Sequence, residues 1–168
     1  SLVRYLPEYG TLYAKWKNKV MIETKAGDNC PDGYTITNGT NNKLYFFPTQ
    51  ESLSTYQVAG MNQSFVSGNN TLTQSYYFDG WIANGKALNG TSLTSEQINY
   101  AISNGSLEVS GNWKEKCSVT INTSGNGVTS ATYESWTYSS SNKTFYVMKG
   151  TSVTISGKQT FLTKVSAS

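Results

Sequence analysis

The sequence contains no histidine, and it has two cysteines and three prolines among its 168 residues. Without histidine the chain cannot build a Ser–His or Cys–His nucleophile, and base catalysis at neutral pH falls to carboxylates or lysines. The cysteines, Cys30 and Cys117, show no Cys-x-x-Cys spacing, which argues against a metal site at either one. We therefore predict a protein that is not an enzyme, with no catalytic residue, no metal ligand and no cofactor.

Carboxylate patterns with a known chemistry are missing as well. A glycosidase needs two facing carboxylates, and Asp79, Glu96 and Glu108 have no diagnostic spacing. Residues 28–33 resemble the start of a calcium loop, but the third position is Cys30 and the twelfth is Gly39, where a bidentate Glu belongs. We interpret this segment as a turn.

Charged side chains make up 14% of the chain, against roughly 25% in an ordinary soluble domain. Ser, Thr, Asn and Gly take their place, which is typical of β-sheet surfaces outside the cell. The net charge of +3 is mild, and the lysines near Trp16 and Trp113 alternate along predicted strands, so we expect no nucleic-acid partner. No stretch approaches the ~20 apolar residues of a membrane span, so we expect no membrane insertion in this segment.

One pattern occurs twice. Residues 16–19 read Trp-Lys-Asn-Lys and residues 113–116 read Trp-Lys-Glu-Lys, and a new strand-like run follows each of them. Each Trp also closes a run that begins Gly-(Thr/Ser)-Leu, at 10–12 and at 105–107. Such a repeat is the signature of modules in series. We therefore divide the chain into the closing strand of a preceding repeat (1–17), a complete repeat module (18–116) and a second β-rich module (117–168).

Period-two patterns and turn residues predict a mainly β chain. One helix is predicted near residues 95–103, because Thr94 and Gln97 match a capping box and Gly105 supplies a stop. Ile98 and Ala101 fall on one face of that helix, so we expect it to lie across a sheet. The predicted strands cover residues 12–16, 19–24, 34–37, 44–47, 56–58, 64–66, 72–81, 117–121, 133–138, 145–148 and 151–155, with a turn at 125–127.

Two motifs resemble those of a known repeat family. Residues 10–16 end in Leu-Tyr-Ala-Lys-Trp, and residues 78–81 read Phe-Asp-Gly-Trp ahead of Trp113. These motifs resemble the closing strand and the Phe-x-Gly-Trp motif of the internalin B-type repeat, also called the Listeria-Bacteroides repeat. Residues 117–121 and 147–155 are similar to the first half of its divergent version.

The chain also departs from that family. The second closing strand, residues 107–113, lacks Tyr-Ala-Lys, and the middle module is longer than the usual unit, with the excess assigned to residues 38–70. The resemblance implies a β-grasp-like module, a small sheet crossed by one short helix, that occurs in tandem on bacterial surface proteins as a spacer or adhesive stalk. For residues 117–168 we expect a second small β module, either Ig-like or a partial repeat.

Three roles follow from this organisation. The first is a non-enzymatic structural or adhesive repeat module of a surface-exposed bacterial protein, a stalk or spacer whose partners are neighbouring modules of the same chain or assembly. The second is a structural component of a bacteriophage virion, as a head fibre or decoration protein, or of a pilus. The third is a carbohydrate-binding module that uses exposed aromatics. All three predict an extracellular location, on a cell or virion surface.

Aromatic residues and cysteines are the candidate site residues. Trp136 has polar neighbours and lies between Tyr133 and Tyr138, so we expect Trp136 to be exposed and the three rings to bind a host glycan or surface protein. Cys30 and Cys117 have two alternatives, a disulfide or two separate thiols that act as small apolar residues. The remaining tryptophans, Trp16, Trp81 and Trp113, are expected in the core or between modules.

Overall fold

A computed structural model describes Ala14 and residues 16–61, 63–122 and 128–159. The chain is mainly β: strands make up 40% of it and form two sheets, and helices make up 11%. This confirms the predicted mainly β class. In chain order the elements are β1 (Val20–Lys25), β2 (Lys43–Phe46), α1 (Gln50–Ser54), β3 (Tyr76–Ala83), β4 (Lys86–Ala87), α2 (Ser95–Asn104), β5 (Ser106–Thr120), β6 (Val128–Tyr133), β7 (Trp136–Thr137), β8 (Thr144–Met148) and β9 (Ser156–Gln159).

The larger sheet has six strands, and five of them follow the order β2-β1-β5-β3-β4. β1 and β5 are parallel, with Ile22 opposite Leu107, and the other neighbours are antiparallel. β8 joins the same sheet by pairing antiparallel with the end of β5, where Cys117 lies opposite Val147. The smaller sheet has three strands in the order β7-β6-β9.

α2 confirms the predicted helix. The Thr94 hydroxyl accepts a hydrogen bond from the Gln97 amide at 3.2 Å, and the Gln97 side chain accepts one from the Thr94 amide at 2.9 Å. Gly105 ends the helix with φ 78°. Ile98 and Ala101 are buried against the larger sheet, so the apolar face of α2 is the face that the sequence predicts.

α1 contradicts the prediction of a single helix. It has five residues, and Leu53 is the buried residue among them. A single apolar position cannot show a helical period, so the sequence gives no helix signal here. The Thr49 hydroxyl caps its first turn by accepting a hydrogen bond from the Ser52 amide at 3.1 Å. The Gln50 side chain bonds Asn99 of α2. Isolated helices this short are unstable, so tertiary contacts hold α1 in place.

Several predicted strands are wrong. Residues 34–37, 56–58, 64–66 and 151–155 lie outside strands. These runs have strand-like residues but join the ladder of neither sheet, because strand propensity depends on the tertiary context. The predicted strand 133–138 is interrupted, because a turn at residues 134–135 separates Tyr133, the end of β6, from β7. Of the predicted strand 12–16, only Ala14 and Trp16 are described, and neither is in a strand. The predicted turn at 125–127 lies outside the described residues.

Buried side chains form two clusters, and we call the part of the chain around each cluster the first unit and the second unit. The first cluster lies between the larger sheet and α2, and contains Val20, Ile22 and Trp81. The second cluster contains Phe145. It lies between the smaller sheet on one side and, on the other, β8 together with the end of β5. Both clusters touch β5. The predicted boundaries at residues 17 and 116 stay a prediction.

Gly80 bends β3 at the Phe-Asp-Gly-Trp motif. Its φ is 93°, and the register between β3 and β5 shifts between Phe78 and Trp81. The bulge lets the Phe78 ring contact both Trp81, at 5.1 Å between centroids, and Trp113, at 5.5 Å. Both tryptophans are buried, as expected. Trp16 is 90% exposed, so within this chain it packs in neither cluster.

Replacing the buried Trp81 should strongly destabilise the protein. We expect Trp81→Ala to lower the free energy of unfolding by about 3–5 kcal/mol, because it removes a buried indole and leaves a cavity. Trp16→Ala is the matched control and should change stability by less than about 0.5 kcal/mol. Urea unfolding followed by far-UV circular dichroism measures both. Equal effects of the two substitutions would contradict the burial of Trp81.

Candidate functional site

The predicted aromatic site lies in the second cluster. Trp136 is 3% exposed, so the prediction that it is exposed is wrong. Tyr133 is also buried and Tyr138 is half-buried. The Phe145 ring packs on Tyr133 at 4.6 Å and on Trp136 at 4.8 Å between centroids. The Trp136 indole N–H donates to the Asn142 side chain at 3.2 Å, so its polar tip is also satisfied inside the protein.

Hairpin register explains this burial. Tyr133 and Trp136 are cross-strand partners on either side of the turn, so their side chains leave the sheet on the same face. Ala131 lies two residues before Tyr133 and shares that face. The polar neighbours of Trp136 occupy the opposite, solvent-facing positions. Side chains alternate between the two faces of a strand, so a buried residue often has polar residues on either side of it in the sequence. Polar neighbours therefore do not predict that a strand residue is exposed.

The two cysteines are free in this structure and each is half-buried. The Cys30 amide donates to the Gly27 carbonyl, and Gly27 packs against the backbone of Gly111. Cys117 lies six residues beyond Gly111 on β5, which is ~20 Å at the rise of a strand. A disulfide requires Cα atoms within about 7 Å. The structure therefore keeps the thiols apart, and Cys117 packs beside the second cluster.

The carboxylates considered for catalysis are dispersed. Glu96 pairs with Lys86 at 2.8 Å, Glu108 pairs with Lys25 at 2.6 Å, and Asp79 is exposed on β3. The hydrogen bond and charge of Glu108 raise the pKa of Lys25. Across the described residues, no three Cys, Asp or Glu side chains come together as a metal-binding group. Glu96 and Glu108 form surface ion pairs, which contribute little to stability.

A buried polar cluster crosses the first unit. The hydroxyls of Thr24 and Tyr56 are 3.2 Å apart, and the side-chain NH₂ of Asn38 donates to the Thr24 hydroxyl at 3.0 Å. Burial raises the pKa of the Tyr56 phenol, and the hydrogen bonds with Thr24 and Asn38 oppose that rise. The cluster joins β1 to two loops, and its Thr24 and Tyr56 side chains are both buried.

The most exposed aromatic residues of the described chain lie elsewhere, at and beside β2. Trp16 and Phe47, which are 90% and 67% exposed, flank a cleft of about 380 Å³ that we call the aromatic cleft. Lys17, Pro48 and Thr49 complete it. One feature of the sequence could have predicted an exposed ring at this cleft. Residues 46 and 47 are both Phe, and because adjacent strand residues face opposite sides, one of the two must point away from the core.

A second, polar cleft of about 320 Å³ lies between the two units. It is open, and its walls are hydroxyl and amide side chains that come from both units, with Asn70 on one side and Asn142 on the other. These two side chains also hydrogen bond to each other. The remaining residues of its lining are Ser140, Ser141, Lys143, Thr144 and Tyr146.

Comparisons of this chain with protein-family models, with curated proteins and with solved structures find no match. The resemblance to the internalin B-type repeat therefore stays a prediction that rests on the motifs. Within the described residues, no helix has the length and apolar character needed to cross a membrane.

Tyr56 should make stability depend on pH in the alkaline range. Burial raises its folded-state pKa above the usual value of 10.0, so near that pH the unfolded chain loses the proton first and the free energy of unfolding falls as pH rises. The contribution is complete below about pH 9. We expect Tyr56→Phe to remove part of the fall in the urea midpoint above about pH 10.

Tyr45→Phe is the control for this measurement, because Tyr45 is exposed on β2. It should follow the pH curve of the unsubstituted protein. If Tyr56→Phe also follows that curve, the burial of the phenol does not contribute to the alkaline loss of stability.

Proposed function

We propose that this chain is a non-enzymatic structural module of a surface-exposed bacterial protein and acts there as a stalk or spacer. The observation that carries the proposal is the continuity of β5, which has 15 residues and contributes to both units. Its first part pairs with β1 and β3, and its last part pairs with β8. The two units therefore share a strand and have no linker between them.

A shared strand limits how the units can move. At ~3.3 Å per residue, β5 is ~50 Å long. A flexible linker would let the units tumble independently, whereas bending here breaks ladder hydrogen bonds on both edges of β5. A spacer needs this property, because it must hold what it carries at a distance.

A segment of the first unit also contacts the second, and we call it the brace (residues 68–72). The Gly68 amide donates to the Tyr146 carbonyl of β8 at 3.0 Å. The Lys116 ammonium of β5 donates to the Leu72 carbonyl at 2.8 Å. Part of the brace falls in the region where the sequence places extra residues relative to the usual repeat, so the added length fixes the joint between the units.

Gly68 is essential to the fit of the brace. Its φ is 80°, and a Cβ placed on it would lie 2.9 Å from the Cβ of Trp136. Any other side chain at this position combines backbone strain with a clash against the second cluster. The fit therefore depends on a glycine, and an alanine there separates the brace from the second unit.

We further propose that the first unit is β-grasp-like and that the second is a partial repeat. In support, the first unit has a mixed sheet with parallel central strands β1 and β5, and α2 crosses it just before β5. The second unit contributes one strand, β8, to β5, and it pairs with the same edge of β5 as β1. The low charge and abundant hydroxyls and amides of the chain support an extracellular location.

Small-angle X-ray scattering tests the rigid spacer. A compact chain of this length has a radius of gyration of about 15 Å, and we expect a larger value with the distance distribution of one elongated particle. Gly68→Ala should broaden that distribution, because it frees the brace. Gly60→Ala is the control, since no atom approaches a Cβ at Gly60. A compact profile, or equal profiles of both variants, contradicts the proposal.

Carbohydrate binding is the second candidate function, and the aromatic cleft favours it. Exposed rings stack on the apolar faces of sugars, and the polar tips of Lys17 and Thr49 are placed to hydrogen bond hydroxyls. We expect glycan-array binding that Trp16→Ala reduces at least about tenfold, the loss of one ring contact. Tyr100→Ala, on an exposed ring of α2, should leave binding unchanged. An empty array rejects this candidate.

A further inference from the structure

The second unit reproduces the first two strands of the first unit in the same register. In the first unit, Val20 of β1 lies opposite Phe46 of β2. In the second, Cys117 of β5 lies opposite Val147 of β8. The next three pairs correspond in the same way. Residues 20–23 directly follow the first Trp-Lys-x-Lys run, and their counterparts, residues 117–120, directly follow the second. We call these the first and second strand pair.

The hydrogen bond that closes each pair is also the same. The Thr24 amide donates to the Asn42 carbonyl at 2.9 Å, and the Ile121 amide donates to the Lys143 carbonyl at 2.9 Å. The repeat seen in the sequence is therefore a repeat of backbone geometry, and what covers the first strand pair indicates what the second can bind.

The two pairs differ at one edge. Alternate residues of an antiparallel strand direct their backbone groups away from the partner. In the first pair these are Met21 and Glu23, and the parallel start of β5 covers them, with the Met21 amide donating to the Gly105 carbonyl at 3.1 Å. In the second pair the matching residues are Ser118 and Thr120. Both are exposed, and no strand among the described residues pairs with this edge.

Neighbouring contacts stop just short of this edge. On its side of β5, the last backbone bond among the described residues goes from the Lys116 amide to the Ser75 carbonyl at 2.8 Å. The opposite, outer edge of β8 is covered, because the Tyr146 carbonyl accepts the Gly68 amide of the brace. In the second strand pair the edge of Ser118 and Thr120 is therefore the one available to a partner strand.

Burial shows that the second pair lacks a cover. Val20 and Ile22 of the first pair are 1% and 0% exposed. Their counterparts Cys117 and Val119 are only half-buried, although they pack beside the second cluster. In the first unit, Leu107 of β5 lies next to Ile22 and completes its burial. The second unit has no described residue in that place.

We infer that this open edge binds a parallel strand from a second copy of the chain, formed by residues 10–16. Their start, Gly-Thr-Leu, matches the Gly-Ser-Leu that begins the covering part of β5. In the register of the first unit, Leu12 takes the place of Leu107 opposite Val119, and Ala14 lies opposite Ile121. Such strand addition supplies main-chain hydrogen bonds and buries alternate side chains.

Chain reach requires that the strand come from another copy. Met21 lies opposite Ser106, and Val119 is thirteen residues farther along β5, ~43 Å away at the rise of a strand. Leu12 precedes Met21 by nine residues, which extend to at most ~32 Å. Residues 10–16 therefore cannot cover the second strand pair of their own copy, and copies join head to tail.

Trp16 is consistent with this pairing. It is 90% exposed, whereas its counterpart Trp113 at the end of the covering strand is buried and donates its indole N–H to the Ala26 carbonyl at 2.7 Å. The inference goes beyond the proposed function, because it concerns how copies join and holds whether or not the assembly is a stalk.

Sedimentation velocity of the full chain and two variants tests the inference. Ser118→Pro removes the N–H that faces the open edge and keeps the pairing with β8. Leu12→Glu places a charge where the inserted strand must be buried. We expect the unsubstituted chain to associate with rising concentration and each variant alone to be monomeric. An equimolar mixture should give a 1:1 dimer and nothing larger, because one variant keeps the strand and the other keeps the edge.

The matched control is Tyr45→Pro. Tyr45 holds the position on β2 that faces outward from the first strand pair, so this variant should associate like the unsubstituted chain. Loss of association in Tyr45→Pro, absence of a dimer in the mixture, or a monomeric unsubstituted chain at every concentration overturns the inference.

Hydrogen exchange gives a second measurement that does not depend on the proline variant folding. In the unsubstituted chain, exchange at the Ser118 and Thr120 amides should slow at least about tenfold as concentration rises. Protection that is high at every concentration means that the edge is covered within one copy, and that result also overturns the inference.

Discussion

β5 pairs with β1 along residues 106–110 and with β3 along residues 109–115, so each of its first ten residues has a partner strand on at least one edge, and the rest of the structure is arranged around it. Because β1 and β5 are parallel and adjacent, the chain must return from one end of the sheet to the other before β5 begins. α2 makes that return, and its apolar face must then pack on the sheet. The first cluster is the consequence of this arrangement.

Buried polar groups specify the arrangement. Gln97 is 1% exposed, and its side chain caps α2 through the Thr94 amide while donating to the Ala83 and Lys86 carbonyls at 3.0 and 2.9 Å. One side chain therefore joins the start of α2 to the turn between β3 and β4. A different packing of the helix would break these bonds and leave a buried polar atom unpaired, so its free energy would be higher.

The two ends of β5 explain the proposed role and the inferred assembly. Its first part is paired with β1 on one edge and then with β3 on the other. Its last part has one edge, at Ser118 and Thr120, that no described strand pairs with, and an unpaired strand edge is a template for another chain. A rigid shared strand with one open edge gives a unit that adds to a second unit in a defined direction, and the brace keeps that direction constant.

Local patterns were enough to predict the elements whose hydrogen bonds join sequence neighbours. Thr94, Gln97 and Gly105 predicted the bounds of α2 because a capping box and a glycine stop act within one helical turn. The repeated Trp-Lys-x-Lys runs predicted two opening strands, and the structure has strands that start at Val20 and continue through Cys117. Burial of Trp81 and Trp113 also followed from strand periodicity.

Tertiary structure alone decided which face of a strand meets a core and which apolar run finds a free edge. Trp136 is buried because β8 and Phe145 lie over its face of the hairpin, and nothing in its neighbouring residues contains that information. Residues 34–37 have a strand-like sequence but pair with no strand, and α1 forms because Leu53 reaches the first cluster. The sequence by itself determined the local hydrogen-bonded elements; the faces, the edges and the open position on β5 depend on contacts between residues far apart in the chain, which no local pattern encodes.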